Sequence, residues 1–170
     1  ANSAAALLSP YAFGPLTLRN RVVMAPLTRS RADAQTLAPR ALNAEYYAQR
    51  AGAGLIISEG SQVSPQGQGY ENTPGIYNAD QIAAWRAITD EVHRRDGHIF
   101  LQLWHCGRVS HTAFHGGAAP VAPSAVAANT QVYVKGQGMV PAAEPRALTV
   151  EEIEGSVTGG LVQRGLARWA

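Results

Sequence analysis

Three segments of this chain follow one plan: a short apolar, partly β-branched run that ends in polar residues. They are Asn20-Arg21-Val22-Val23-Met24-Ala25-Pro26-Leu27-Thr28-Arg29-Ser30, Gly54-Leu55-Ile56-Ile57-Ser58-Glu59-Gly60 and Gly97-His98-Ile99-Phe100-Leu101-Gln102-Leu103-Trp104-His105. Runs of this length, bounded by glycine or proline, read as buried strands covered on both faces, as in a parallel sheet. Helical spacing lies between them, so the chain alternates strand and helix. Strands that gather polar residues at their C-terminal ends point to a (β/α) barrel, whose site lies at that face.

Size sharpens the expectation. A complete barrel takes roughly 250 residues, and this sequence has 170. The sequence therefore predicts an incomplete barrel of the (β/α)8 class, with an N-terminal hairpin, about three β/α units and a capping subdomain. Residues 1–8 lack a basic start and a long apolar core, so they read as a flexible arm and not as a signal peptide. Residues 9–154 form the barrel portion. Residues 155–170 carry four glycines, Gly155, Gly159, Gly160 and Gly165, and read as an aberrant, poorly packed tail.

Charge and cysteine content exclude several classes. A net charge of +2 argues for neither nucleic acid nor an anionic membrane as partner. No apolar run reaches the roughly 20 residues of a membrane span. One cysteine, Cys106, rules out an intrachain disulfide and fits a reducing, cytoplasmic setting.

Local signals place the elements. Phe13-Gly14-Pro15 reads as the turn of a hairpin. Helical spacing runs from Leu42 to Arg50 and ends at Gly52 and Gly54. Residues 61–77 are a long loop, of the kind that is functional at a barrel rim. Asn78 caps a helix with Gln81 three residues on, and Ile82, Trp85, Ile88 and Val92 form its apolar stripe. In the excursion over 106–147, Gln131-Val132-Tyr133-Val134 reads as a strand of an accessory hairpin over the barrel mouth. Thr149 and Glu152 are spaced as a capping box.

The residues with chemical potential cluster at the strand ends. Ala25-Pro26-Leu27-Thr28 offers a flat approach to backbone and one hydroxyl, or an ordinary strand exit. Gly60 permits close backbone approach. Gln102, inside an apolar strand, needs partners for its amide. Those are either neighbouring backbone or a ligand edge that accepts and donates at once, such as a flavin pyrimidine. Trp104 walls a pocket or caps the core, and Tyr77 lines the mouth or packs there. Arg108 reaches a ligand or serves the loop. His105, His111 and His115 lack a nearby acidic residue to complete a metal site, and Cys106 reads as an inert thiol. Neither a GxGxxG after a strand nor a GxxxxGK[ST] loop occurs.

Taken together, five ordered runs resemble the old yellow enzyme family of FMN-dependent ene-reductases, near its morphinone and N-ethylmaleimide reductase branch. They are the run from Asn20 to Ser30, that from Gly54 to Glu59, Thr73-Pro74-Gly75-Ile76-Tyr77, Leu101-Gln102-Leu103-Trp104-His105 with Gly107-Arg108, and Pro120-Val121-Ala122-Pro123-Ser124-Ala125. The resemblance covers residues 8–153. It implies a (β/α)8 barrel with FMN at its C-terminal face, NAD(P)H as reductant and an α,β-unsaturated carbonyl compound as small-molecule substrate. By motif it assigns FMN contacts to Ala25, Pro26, Leu27, Thr28, Gly60 and Gln102. It places Tyr77 and Trp104 on the substrate side.

It also implies that the groups holding the substrate carbonyl, the proton-donating tyrosine and the phosphate site lie on later strands, so no catalytic residue is assigned here. The resulting expectation is the N-terminal part of an ene-reductase, inactive as an isolated chain. The alternatives are a non-catalytic fragment that self-associates or needs a complementary chain, and another flavin barrel such as a dienoyl-type reductase.

Overall fold

The computed structural model describes residues 3–156. The expectation for the tail lies outside the described residues, except that 155 and 156 continue a helix over 150–156. Ser3–Leu7 forms a short helix, α1, where the sequence reads as an arm. The Leu7 carbonyl accepts from the Arg21 N–H at 2.9 Å, which ties this turn to the start of the first barrel strand.

The hairpin forms as its turn signal predicts. Strands β1 (Tyr11–Phe13) and β2 (Leu16–Leu18) pair antiparallel, with Gly14 at φ +56° in the left-handed region that glycine adopts without penalty. Arg19 donates to the carbonyls of Arg95 and Asp96, so the hairpin is fastened across the chain to the loop before the third barrel strand.

The central sheet has three parallel strands in the order β3 (Val23–Met24), β4 (Leu55–Gln62) and β5 (Ile99–Trp104). Helix α2 (Ala41–Ala48) connects β3 to β4, and α3 (Ala79–His93) connects β4 to β5. Both connections are the β/α crossovers that the alternation predicts. The main core lies where these helices meet the sheet: Tyr47 and Ala51 from the α2 region, Ile56 from β4, and Trp85, Ile88 and Val92 from α3. The predicted stripe of α3 is thus buried at three positions, with Ile82 packed at its border. Asn78 caps α3 through its side-chain oxygen, which accepts from Gln81 N–H at 2.9 Å. The Gln81 side chain does not return the bond to Asn78; its Oε1 accepts from Tyr77 N–H instead.

Beyond β5, residues 106–149 form a subdomain with its own small core of Val132, Val134 and Ala142. The predicted accessory hairpin is present as β7 (Gln131–Val134) and β8 (Gly138–Pro141), preceded by β6 (Val121–Ala122), which pairs parallel with β9 (Arg146–Ala147). The Thr149/Glu152 capping box forms reciprocally: Glu152 N–H donates to Thr149 Oγ1, and Thr149 N–H donates to the Glu152 carboxylate.

Gly54 opens β4 against Asn20. A methyl group there would lie 2.0 Å from the Asn20 carbonyl oxygen, whereas one at Gly52 would meet nothing within 4 Å. Gly54→Ala is expected to cost about 1–3 kcal/mol, read as a lower denaturant midpoint. Gly52→Ala serves as the control, with a much smaller effect.

Candidate functional site

Ladder pairing of β3 with β4 covers only Val23 and Met24, and Pro26, which has no N–H to donate, stands two residues on. Ala25, Pro26, Leu27 and Thr28 therefore leave the sheet at its C-terminal end as exposed chain. Leu27 is 49% exposed, unusual for a leucine beside a core.

Strand β4 departs from the sequence reading. It continues to Gln62, beyond the run from Gly54 to Gly60, and buries Ser58, Glu59, Ser61 and Gln62 completely. A bulge makes this possible. Ile57 pairs with Phe100 and Gly60 with Gln102, so Ser58 and Glu59 together oppose the single residue Leu101. Ser58 Oγ takes a place in the ladder, accepting from Gln102 N–H at 3.1 Å.

Glu59, to which the sequence gives no role, is fully buried. Its Oε2 accepts from the backbone N–H of Arg29 at 3.1 Å. Its Oε1 accepts from Asn43 Nδ2 at 3.1 Å and from the Tyr47 hydroxyl at 3.3 Å. The Tyr47 oxygen in turn accepts from Glu59 N–H at 2.8 Å. Burial pushes the Glu59 carboxyl above its ordinary range, and the bonds from Arg29, Asn43 and Tyr47 offset part of that rise. Burial, reinforced by the Glu59 charge, raises the Tyr47 phenol.

On β5 the backbone N–H of Gln102 is satisfied by Ser58, while its half-buried carboxamide makes no hydrogen bond to a described residue. The core-amide alternative is thus not realised. Trp104 stands two residues on, with its Nε1–H buried and without an acceptor. Its register partner Gln62 carries the complementary defect, a buried Oε1 without a donor. The space above Gly60 is taken by this indole: a Cβ there would lie 2.4 Å from two Trp104 ring carbons. Gly60 is thus required by Trp104 packing, a demand separate from the close backbone approach that the sequence suggests.

Tyr70 also escaped the sequence reading. Its ring stacks on Trp104, with centroids 5.7 Å apart and planes at 19°. The predicted pocket residue Tyr77 has its ring edge beside Gly75, near the start of α3. Gln62 explains why residues 61–77 are not one free loop. Its Nε2 donates to Thr73 O, its N–H to Pro74 O, and its carbonyl accepts from Ile76 N–H. A period-two pattern broken by polar residues carried no signal for this.

Arg108 serves the loop: its guanidinium donates to Val126 O at 2.7 Å and Ser124 Oγ at 3.0 Å. The histidines are likewise engaged locally. His105 Nδ1 accepts from Gly107 N–H, His111 Nδ1 from Ala113 N–H, and His115 Nε2 meets Ser110 Oγ at 2.9 Å. Ser110 donates its own proton to Gln68 O at 2.6 Å, so His115 supplies the proton of that contact. Burial lowers both His105 and His115, which are therefore neutral near pH 7. Among the described residues no group of three or more His, Cys, Asp or Glu is placed to hold a metal ion, and no helix is long and apolar enough to cross a membrane.

Against known proteins, the model of the NADH:flavin oxidoreductase / NADH oxidase family matches residues 6–159. The chain belongs to that family. It is 46% identical over 155 residues to putative 12-oxophytodienoate reductase 2 of Oryza sativa subsp. japonica, covering 90% of this chain and 39% of that protein. Flavin oxidoreductase hxnT of Emericella nidulans is 42% identical over 153 residues, covering 87% and 39%. Among solved structures, morphinone reductase in complex with tetrahydroNAD superposes with a TM-score of 0.87 at 45% identity, over 95% of this chain and 46% of that one. The old yellow enzyme homologue of Zymomonas mobilis gives 0.85 at 44% identity, over 91% and 42%. The chain thus spans less than half the length of these relatives. It has the fold of the matching part of the old yellow enzyme (β/α)8 barrels, and the family uses FMN and NAD(P)H.

Cys106 abuts Gly69, where an added Cβ would lie 3.0 Å from Sγ, and burial pushes its thiol up to about 11. The nucleophilic thiolate is then scarce at neutral pH. In the folded chain Cys106 is expected to react with a disulfide reagent at pH 8 far more slowly than in denaturant. The rate should climb as pH rises toward 11, in the range where the chain remains folded.

Proposed function

We propose that this chain supplies the FMN-facing first strands and part of the substrate pocket of an NAD(P)H-dependent ene-reductase. The substrate class is an α,β-unsaturated carbonyl compound. The observation that carries the reading is the Gln102 carboxamide. It sits on a sheet strand, beside Gly60 in register, with no protein partner among the described residues. That amide keeps some access to solvent in this structure; a ligand laid over it would exclude that water, and a ligand edge with both donor and acceptor would then meet both of its groups. The exposed segment 25–28 fits a planar ring laid against backbone. The relatives support the substrate class, since those named for a substrate are reductases of 12-oxophytodienoate and of morphinone, an oxo compound and a ketone by name.

Bound FMN supplies hydride transfer between nicotinamide and substrate. This chain's residues orient and enclose. Gln102 fixes the pyrimidine edge by accepting and donating in one plane. Ala25, Pro26, Leu27 and Thr28 present backbone and one hydroxyl beside it, with Gly60 contributing backbone only. Trp104 and the ring of Tyr70 stacked on it form an apolar wall that excludes water from the reacting side. Tyr77, whose ring edge lies beside Gly75, is placed on the substrate side by the resemblance. No proton-transfer role is assigned to a described residue.

A second reading rests on β5, whose residues are half-buried along most of the strand and whose Phe100 is 43% exposed. Such an edge accepts a further strand. In this reading the chain acts with a complementary chain or a second copy. Steady oxidation of NADPH driven by 2-cyclohexenone and FMN, catalysed by the 170-residue chain alone as a monomer, would remove it.

Flavin fluorescence titration tests the cofactor assignment. Gln102→Leu is expected to weaken FMN binding by about 1–3 kcal/mol, since it leaves flavin groups unpaired. Equal dissociation constants for the two proteins would overturn the role given to Gln102.

A further inference from the structure

Segment 25–28 has no sheet pairing of its own, yet the residue after it is held from two sides. Arg29 N–H donates to the buried carboxylate of Glu59. The Arg29 guanidinium lies over the Tyr46 ring at 4.8 Å, on the same helix that supplies Asn43 and Tyr47 to that carboxylate. Ser30 follows at φ +51°, a left-handed conformation that a serine keeps only where its surroundings impose it. The bulge at Ser58 and Glu59 lets both residues turn inward, and Glu59 thereby reaches across from β4 to α2 and to the end of β3.

We infer that Glu59 is a positioning residue, holding the backbone of residues 25–29 where it meets the flavin. The inference rests on the cofactor reading above. Three donors converge on the carboxylate, from Arg29, Asn43 and Tyr47. A carboxylate accepts all three, while an amide presents one oxygen and one NH2 group. In Glu59→Gln, the new NH2 group therefore opposes either the Arg29 N–H or the Asn43 amide. Adding Asn43→Asp reverses the polarity of that contact. The carboxylate introduced at position 43 accepts from the NH2 group introduced at position 59, and it still accepts from Arg40 N–H, as Asn43 does at 3.0 Å. The amide oxygen at position 59 is then free for Arg29.

Amide hydrogen exchange on the full chain is the first test, and it needs no cofactor. The Arg29 amide is expected to exchange at least about tenfold more slowly than those of Thr28 and Ser30, which have no acceptor among the described residues. Glu59→Gln should speed Arg29 exchange and raise the FMN dissociation constant about tenfold, and the double variant Glu59→Gln/Asn43→Asp should recover most of both. A bystander role in stability would show as faster exchange throughout β4 and β5, with no recovery in the double variant, and would overturn the inference.

Two further results overturn it: a wild-type Arg29 amide no slower than its neighbours, or an FMN dissociation constant unmoved by Glu59→Gln while Gln102→Leu still raises it. If the wild-type chain binds no FMN, the cofactor reading fails separately, and the exchange of Arg29 alone decides whether Glu59 holds the loop.

Discussion

A carboxylate without solvent must find its donors within the fold, and the Glu59 carboxylate collects them from segments far apart in sequence. It joins its own strand β4 to the end of β3 through Arg29 and to α2 through Asn43 and Tyr47. Leaving any of these donors or acceptors unmet costs more than a typical hydrogen bond gains. The position of α2 over the sheet and the exit path of β3 are therefore set together. Tyr47 also belongs to the main hydrophobic core, beside Trp85 at 6.2 Å between ring centroids. One side chain thus couples the polar network to the apolar packing that supports it.

The end of β4 extends the same logic toward the mouth. Ser58 stands in for a ladder acceptor, and Gln62 ties down residues 73–76. These substitutions of side chain for backbone let the strand carry polar residues through a buried region. Among the described residues, three side-chain groups on neighbouring strand ends stay unpaired: the Gln102 carboxamide, Trp104 Nε1–H and Gln62 Oε1. The sheet leaves its polar groups unmet at its C-terminal ends, which is where a (β/α) barrel keeps its chemistry.

Features written in local chemistry were legible in the sequence. The Gly14 turn, the Asn78 cap, the Trp85, Ile88 and Val92 stripe and the Thr149/Glu152 box each depend on residues within one or two turns of one another. Strand ends carrying Gln102 and Trp104 were legible because polar and large aromatic residues interrupt an apolar run. The length of β4 was not, because the stretch from Ser58 to Gln62 resembles loop until the bulge and the Gln62 bonds supply partners. Glu59 carried no signal for the same reason, since its partners lie 12, 16 and 30 residues away. The Tyr70 and Trp104 stack joins residues with no shared periodicity, so nothing local marked Tyr70.

The accessory hairpin is packed on its own small core, and hydrogen bonds bring its subdomain against the loop that carries Tyr70. Ser110 donates to Gln68 O, and Glu71 accepts from Lys135 N–H. Its outward cross-strand pair, Tyr133 and Met139, is more than half exposed, while Val132 and Val134 point inward. The rim is therefore a module. Mutation can reshape the outer surface of the hairpin without entering the core that orders β3, β4 and β5. A chain built this way can alter the outer face of its accessory hairpin at little cost to the fold, because the two cores share no residue.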